Sequence, residues 1–248
     1  MAKVTGLGDS LYIGAIDASG DVGAVGTIHG GPAAMDVTGI NSAAFERVGG
    51  RRSGEISFTS WYNSTGAFTT LNDLPTADVG VTYAHRGVLG NPICTLLGKQ
   101  INYDPTYGND GSLSFAVQAL SNGSMNGLEW GVQLTAGQRT DTAGTNPTSG
   151  VDDLGGSPTS TAFGASIWVH LLTFAGSNIT FTLRDAATEP TYAAVTGGAS
   201  AAMTAVGYQR WTTSASQTIR RFLTIGTSGT FSNAVFVVGV TRHLVATL

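Results

Sequence analysis

Short runs of alternating apolar and polar residues, separated by turn chemistry, are what most constrains this chain. Period-2 alternation runs over 55–62 (Ile56 and Phe58 on one face), over 112–120 (Leu113, Phe115, Val117) and over 128–134 (Leu128, Trp130, Val132). It returns over 178–183 (Ile179, Phe181, Leu183) and over 219–225. Successive side chains of a strand point to opposite faces, so this period buries one side of a sheet and suits no helix. Between the runs, Asn109-Asp110-Gly111, Ser121-Asn122-Gly123 and Ser228-Gly229 supply residues that tolerate the positive φ of tight turns. Helical patterning is confined to 42–48 and to 67–74, the latter preceded by the candidate caps Ser64 and Thr65 and stopped by Pro75. The expected fold class is mostly β.

Charge is scarce. Asp, Glu, Lys and Arg make up 11% of the 248 residues, against roughly 25% in an ordinary soluble domain. A surface so poor in charge is one that other copies or partners cover, and the composition therefore points to an assembly. An apolar share of 42% excludes a disordered chain, and the 35 glycines have no three-residue period that would make a collagen-like rod. A formal net charge of −4 argues against a protein that grips phosphates. No apolar run approaches the roughly 18 residues of a spanning helix. The opening Met-Ala-Lys-Val-Thr has no apolar signal core, so a cytoplasmically made, soluble chain without membrane insertion is expected.

The composition breaks once, over 137–160, a stretch dense in Gly, Ser, Thr, Pro and Asp that has little apolar surface to bury. Charge changes sign across it: residues 1–137 hold six basic and eleven acidic side chains, residues 161–248 five and two. Three parts are expected: a first domain over 1–137, a polar linker over 138–160 and a second β-sandwich over 161–248.

Motifs for chemistry are missing. His29, His85, His170 and His243 are scattered, so no metal site is expected, and neither a P-loop nor a strand-to-helix GxGxxG offers a cofactor cradle. Cys94 lies among Ile93, Thr95, Leu96 and Leu97, which suits an inert buried thiol. Asp152-Asp153 is the one adjacent carboxylate pair, and its place in the polar stretch suits a solvated loop better than a glycosidase centre. Trp130, in phase with Leu128 and Val132, is expected in the core; Trp61, out of phase with Ile56 and Phe58, is expected outside. No enzyme and no cofactor is expected.

Residues 36–58, DVTGINSAAFERVGGRRSGEISF, resemble the tail-tube (major tail) proteins of long-tailed bacteriophages. Asp36, Thr38, Phe45, Gly50, Gly54, Ile56, Ser57 and Phe58 fall in the order of that family's D-x-T segment, short hydrophobic loop and G-x-x-x-G-x-I-S-F lead into a strand. The helix at 67–74 and the strands at 111–120 and 128–134 are similar to its layout, so the likeness covers about 1–137. It implies a tail-tube-type β-sandwich with one short helix, six copies closing into a ring, and rings stacking into a tube. The implied partners are further copies in stacked homohexameric rings, other tail proteins such as a tape-measure protein inside the tube, and genomic double-stranded DNA passing through at ejection without specific binding. The implied location is the virion tail, made in the host bacterial cytoplasm.

Residues 161–248, on RDAATEPTYAAV (184–195) and RRFLTIGTSGTFSNAVFVVGVTRH (220–243), resemble the small jelly-roll or immunoglobulin-like sandwich appended to such virion proteins. Within this reading, 36–54 is an extended loop that contacts a neighbouring copy through Asp36, Phe45, Arg51 and Arg52. The lumen is acidic or neutral, so that DNA slides without being held, with Asp17, Asp21, Asp78 and Asp110 as candidate lining residues. The alternatives are a capsid decoration or minor tail protein, and a carbohydrate-binding adhesin using Trp168, Tyr192, Tyr208 and Trp211.

Overall fold

The computed structural model describes residues 6–74, 77–123 and 127–245. Among them the elements follow as β1 (Ser10–Ile13), β2 (Ile16–Asp17), β3 (Val22–Asp36), β4 (Arg47–Trp61), α1 (Phe68–Leu71), β5 (Val79–Ala84), β6 (Pro92–Tyr107), β7 (Leu113–Ser121) and β8 (Leu128–Gln133). Then come β9 (Arg139–Asp141), β10 (Val151–Asp152), β11 (Ser160–Thr161), β12 (Ala165–Ala186), β13 (Ala193–Ala199), β14 (Gly207–Thr212), β15 (Ile219–Arg220) and β16 (Phe222–Arg242). The fold is mostly β with one helical turn, as the alternation predicts, and the long ladders β3–β4, β4–β7, β6–β7 and β12–β16 are antiparallel. The chain forms two compact units: the first is Met1–Ser19, Thr82–Cys94 and Trp130–Leu248, the second Gly20–Val81 and Thr95–Glu129.

The first unit is built on one long hairpin. β12 and β16 pair from Ala165–Arg242 to Ala186–Phe222. Phe181 stands opposite Thr227 and Phe236 opposite Leu171, ten positions apart along β12 and so roughly 30 Å apart on a straight strand. Yet the two rings meet edge-on at 4.9 Å. The ladder therefore folds over on itself, and its register shifts between Leu171 and Asn178 mark the bend. Gly176 sits in that bend, where a Cβ would lie 2.5 Å from the Cα of Phe231. Folding turns one hairpin into two facing layers, and Ile167, Val169, Leu171, Ile179, Phe181 and Leu183 fill the core between them.

The expected boundaries at 138–160 need correction. That segment is no linker: β9 and β10 both pair with β16, and Asp141 and Val151 are buried. Several of its polar residues are spent in bonds that tie it to β16 and its neighbours. Arg139 grips Asp141 with two nitrogens at 2.9 and 2.6 Å, donates to the Ile225 carbonyl, and lies 4.9 Å over the Phe236 ring. Thr145 and Thr227 exchange reciprocal backbone bonds of 3.0 and 2.8 Å. Nor is 1–137 a domain of its own, because Tyr12, Ala84 and Ile93 share a buried cluster with Trp168 and Val237.

The second unit carries a sheet in the order β3-β4-β7-β6. Ile56 and Phe58 are buried opposite Ala119 and Val117, as their alternation predicts. The helix expected over 67–74 is a single turn with Leu71 buried. Its cap is neither Ser64 nor Thr65: the Asp21 carboxylate accepts the Ala67 N–H at 2.7 Å and the Asn63 amide at 2.8 Å.

Candidate functional site

The most exposed apolar surface of the second unit is the end of the β3–β4 hairpin. β3 pairs only with β4 among the described residues, and β4 reaches β7 only over 55–61. Beyond the Gly30–Gly54 pair the sheet is thus a ribbon of two strands, ending where Asp36 faces Arg47. The expected loop over 36–54 and the expected helix over 42–48 are both corrected to this arm. Local polar bonds outcompete a helical turn there.

The arm's root is tight. A Cβ on Gly54 would come within 2.8 Å of the backbone of Gly127 and Leu128, and one on Gly30 within 2.5 Å of the Leu128 Cβ, so two facing glycines let that segment lie directly on the ribbon. Ser121 Oγ accepts the Gly54 N–H at 2.8 Å and fixes the root further.

The tip is organised by polar groups turned inward on themselves. Asp36 Oδ1 accepts the Thr38 N–H at 2.9 Å and its hydroxyl at 2.5 Å, which holds the Asp36 carboxyl below the ordinary carboxylate range. Thr38 Oγ1 accepts the Glu46 N–H at 2.9 Å, and the Ser42 hydroxyl donates to the Glu46 carboxylate at 2.9 Å. The apolar side chains are left outside. Ile40 is fully exposed, Phe45 is 73% exposed under the Arg47 guanidinium at 5.3 Å, and Met35, Val37 and Val48 are each about half exposed.

The structure therefore brings the four predicted contact residues, Asp36, Phe45, Arg51 and Arg52, onto one arm. Asp36 is occupied internally, whereas Arg51 and Arg52 are exposed on β4 and form no ion pair with the described residues. Of the four lumen candidates, Asp21, Asp78 and Asp110 belong to the second unit and Asp17 to the first. Each holds local structure. Asp17 accepts from Ser19 and Gln138; Asp78 accepts from Asn122 and Lys99, both at 2.9 Å; Asp110 accepts the Ser112 N–H at 3.0 Å.

Elsewhere polar groups serve the fold. Asp152 pairs with Arg221, and Asp153 with Arg242 at 2.7 Å, so the adjacent carboxylates face different cations. Burial pushes the Cys94 thiol up to about 12, which keeps it inert. Among the described residues no cluster of three His, Cys, Asp or Glu is placed to hold a metal, and no helix is long and apolar enough to cross a membrane. Trp61 is exposed as expected, but Trp130 is half exposed and not core. On β8 the buried face instead holds Glu129 and Gln133, the latter drawn inward by its amide bonds to the His85 and Arg86 carbonyls at 2.9 and 2.7 Å. The aromatic set proposed for an adhesin makes no open platform, since Trp168 is fully buried, Tyr192 nearly so, and the Trp211 indole donates to Gly198.

No protein-family model and no curated protein matches the chain. Solved structures match over most of the chain's length, two of them from phages. One is the Dit protein of phage SPP1, described as a paradigm of the hub adsorption apparatus in phages infecting Gram-positive bacteria, at 12% identity and TM-score 0.34, covering 97% of this chain and 100% of that one. The other is the baseplate of phage P2 in its activated conformation with Ca, at 11% identity and TM-score 0.34, covering 95% and 98%.

Proposed function

We propose that the chain is a structural component of a bacteriophage tail that assembles with copies of itself through the β3–β4 arm. The exposed arm carries the reading. Five apolar side chains stand in water on a two-stranded ribbon, a structure marginal by itself and one whose apolar end needs a second surface. The internally satisfied Asp36, Thr38, Ser42 and Glu46 hold the tip in shape, and Arg51 and Arg52 remain to meet acidic groups of a neighbour. A charged share of 11% supports the same conclusion, because a chain that lives in an assembly needs little charge to solvate itself.

In its finer form the proposal is a tail-tube subunit. Six copies close into a ring, rings stack, and the channel holds a tape-measure protein and later passes double-stranded DNA past an acidic or neutral wall. Rings that close without stacking would place the chain elsewhere in the tail.

Phe45→Asp tests the arm directly. The wild-type chain is expected to give rings or tubes with a central hole in negative-stain microscopy, and the variant a folded, soluble species that stays dispersed. Intact rings or tubes from the variant would refute the arm as the seam.

A further inference from the structure

Asn122 and Gly123 form an exposed turn just after β7, with Gly123 at φ +67°. The Asn122 N–H donates to the Leu97 carbonyl at 3.0 Å, and its side-chain amide donates to Asp78 at 2.9 Å, where Lys99 also binds. Contacts on both sides of this turn reach the arm's root. Ser121, immediately before it, accepts the Gly54 N–H. Gly127, after it, lies so close to the root that a Cβ there would fall 2.8 Å from the Ser53 carbonyl carbon.

An asparagine followed by glycine on an open turn has a reaction available that needs no partner. The Gly123 backbone nitrogen attacks Cγ of Asn122 and gives up its proton, the bond from Cγ to the side-chain nitrogen breaks, and that nitrogen takes up the proton and leaves as ammonia, giving a five-membered succinimide. Water then opens the ring. Hydrolysis of the Cγ–N bond gives aspartate, and hydrolysis of the bond from the Asn122 carbonyl carbon to that nitrogen gives isoaspartate, whose main chain runs through Cγ. Nothing is oxidised or reduced, and water is the one co-reactant. Glycine suits the step because no side chain shields its nitrogen.

We infer that Asn122 is a self-modifying site whose conversion to aspartate and isoaspartate loosens the arm. Either product replaces an N–H donor to Asp78 with a second carboxylate, which repels it and competes for Lys99. The iso form also adds a methylene to the main chain between Ser121 and Gly127, the two positions that hold Ser53 and Gly54. The modification stands on the turn alone; its effect on assembly rests on the proposed role of the arm.

The test is to age the full-length chain in mildly alkaline and in mildly acidic buffer beside Asn122→Gln. Peptide mapping with fragmentation that separates aspartate from isoaspartate is the first readout. Both products are expected at 122, accumulating faster in alkali, and neither in the variant. An Asn122 that survives ageing in alkali would overturn the site, and this reading needs only the wild-type chain. The second readout is ring or tube yield, expected to fall several-fold in the aged wild type relative to equally aged variant. Equal yields despite conversion would overturn the coupling to the arm. A fresh wild-type chain that never assembles would overturn the arm's role and with it the coupling, while the peptide map would still decide the modification.

Discussion

His170 gives the first unit a weakness in mild acid whose size follows from its surroundings. The ring is fully buried, with Nδ1 2.8 Å from the Gly14 carbonyl, Nε2 2.7 Å from the Thr82 hydroxyl, and the rings of Tyr12 and Tyr208 beside it. These partners suit the neutral tautomer that donates from Nδ1 and accepts at Nε2. No carboxylate bonds to it among the described residues, so burial pushes its pKa down from 6.5 to about 4. The unfolded chain, with the higher value, binds the proton more readily, so stability is intact above the unfolded value, falls as pH drops below it, and levels off below the folded one. The full loss is about 3 kcal/mol, and near pH 5 about 2 kcal/mol of it is already gone. Denaturant unfolding followed by the buried Trp168, compared near neutrality and near pH 5, should show that loss in the wild type and not in His170→Gln, whose amide can also donate and accept. Parallel pH dependence in the two proteins would refute the reasoning. So would an imidazole of His170 that titrates by NMR in the ordinary histidine range.

Arg242→Met should destabilise the first unit by about 3 kcal/mol in thermal or denaturant unfolding, because it leaves the mostly covered Asp153 carboxylate without its cation and strips the Ile219, Arg220 and Arg221 carbonyls of their buried donor. A chain ending at Gly137 should lack cooperative unfolding of the first unit, because Tyr12, Ala84 and Ile93 lose Trp168 and Val237 from their shared cluster. Dispersed NMR signals from those three residues in the shortened chain would contradict this.

Alternation alone locates β4, β7 and the second half of β12, where one face is buried against an apolar partner: Ile56 opposite Ala119 and Phe58 opposite Val117 are legible from either side. It fails at 138–160 for a definite reason. There burial is achieved with ion pairs and threonine hydroxyls, so Arg139, Asp141, Asp152 and Asp153 read as solvated until Phe236, Thr227, Arg221 and Arg242 are brought to them across some seventy to a hundred positions. It fails at Trp130 for the converse reason, since polar Gln133 is bonded strongly enough to take the inner face. The two-unit organisation is hidden for a third reason: the first unit is assembled from three separated stretches, and local composition does not report contacts between them.

The arm was legible in its residues and not in its form. Glycines at 39, 49, 50 and 54 around Ile40, Phe45 and Val48 suggest a pliable apolar loop. What decides otherwise is distributed: Gly30 must face Gly54, and the backbone of Gly127 and Leu128 must lie on both. Thr38 must also sit where it can receive Glu46 while giving its proton to Asp36. Each of those bonds is local and weak alone, yet together they spend the tip's polar groups on its own shape. Apolar side chains are then the chemistry left at the end of the ribbon, with Arg51 and Arg52 behind them. A preshaped apolar tip with unpaired cations loses less ordering entropy on docking than a flexible loop of the same composition. In the proposed docking of the arm, Asp36 acts through these local bonds and not through a direct contact by its carboxylate.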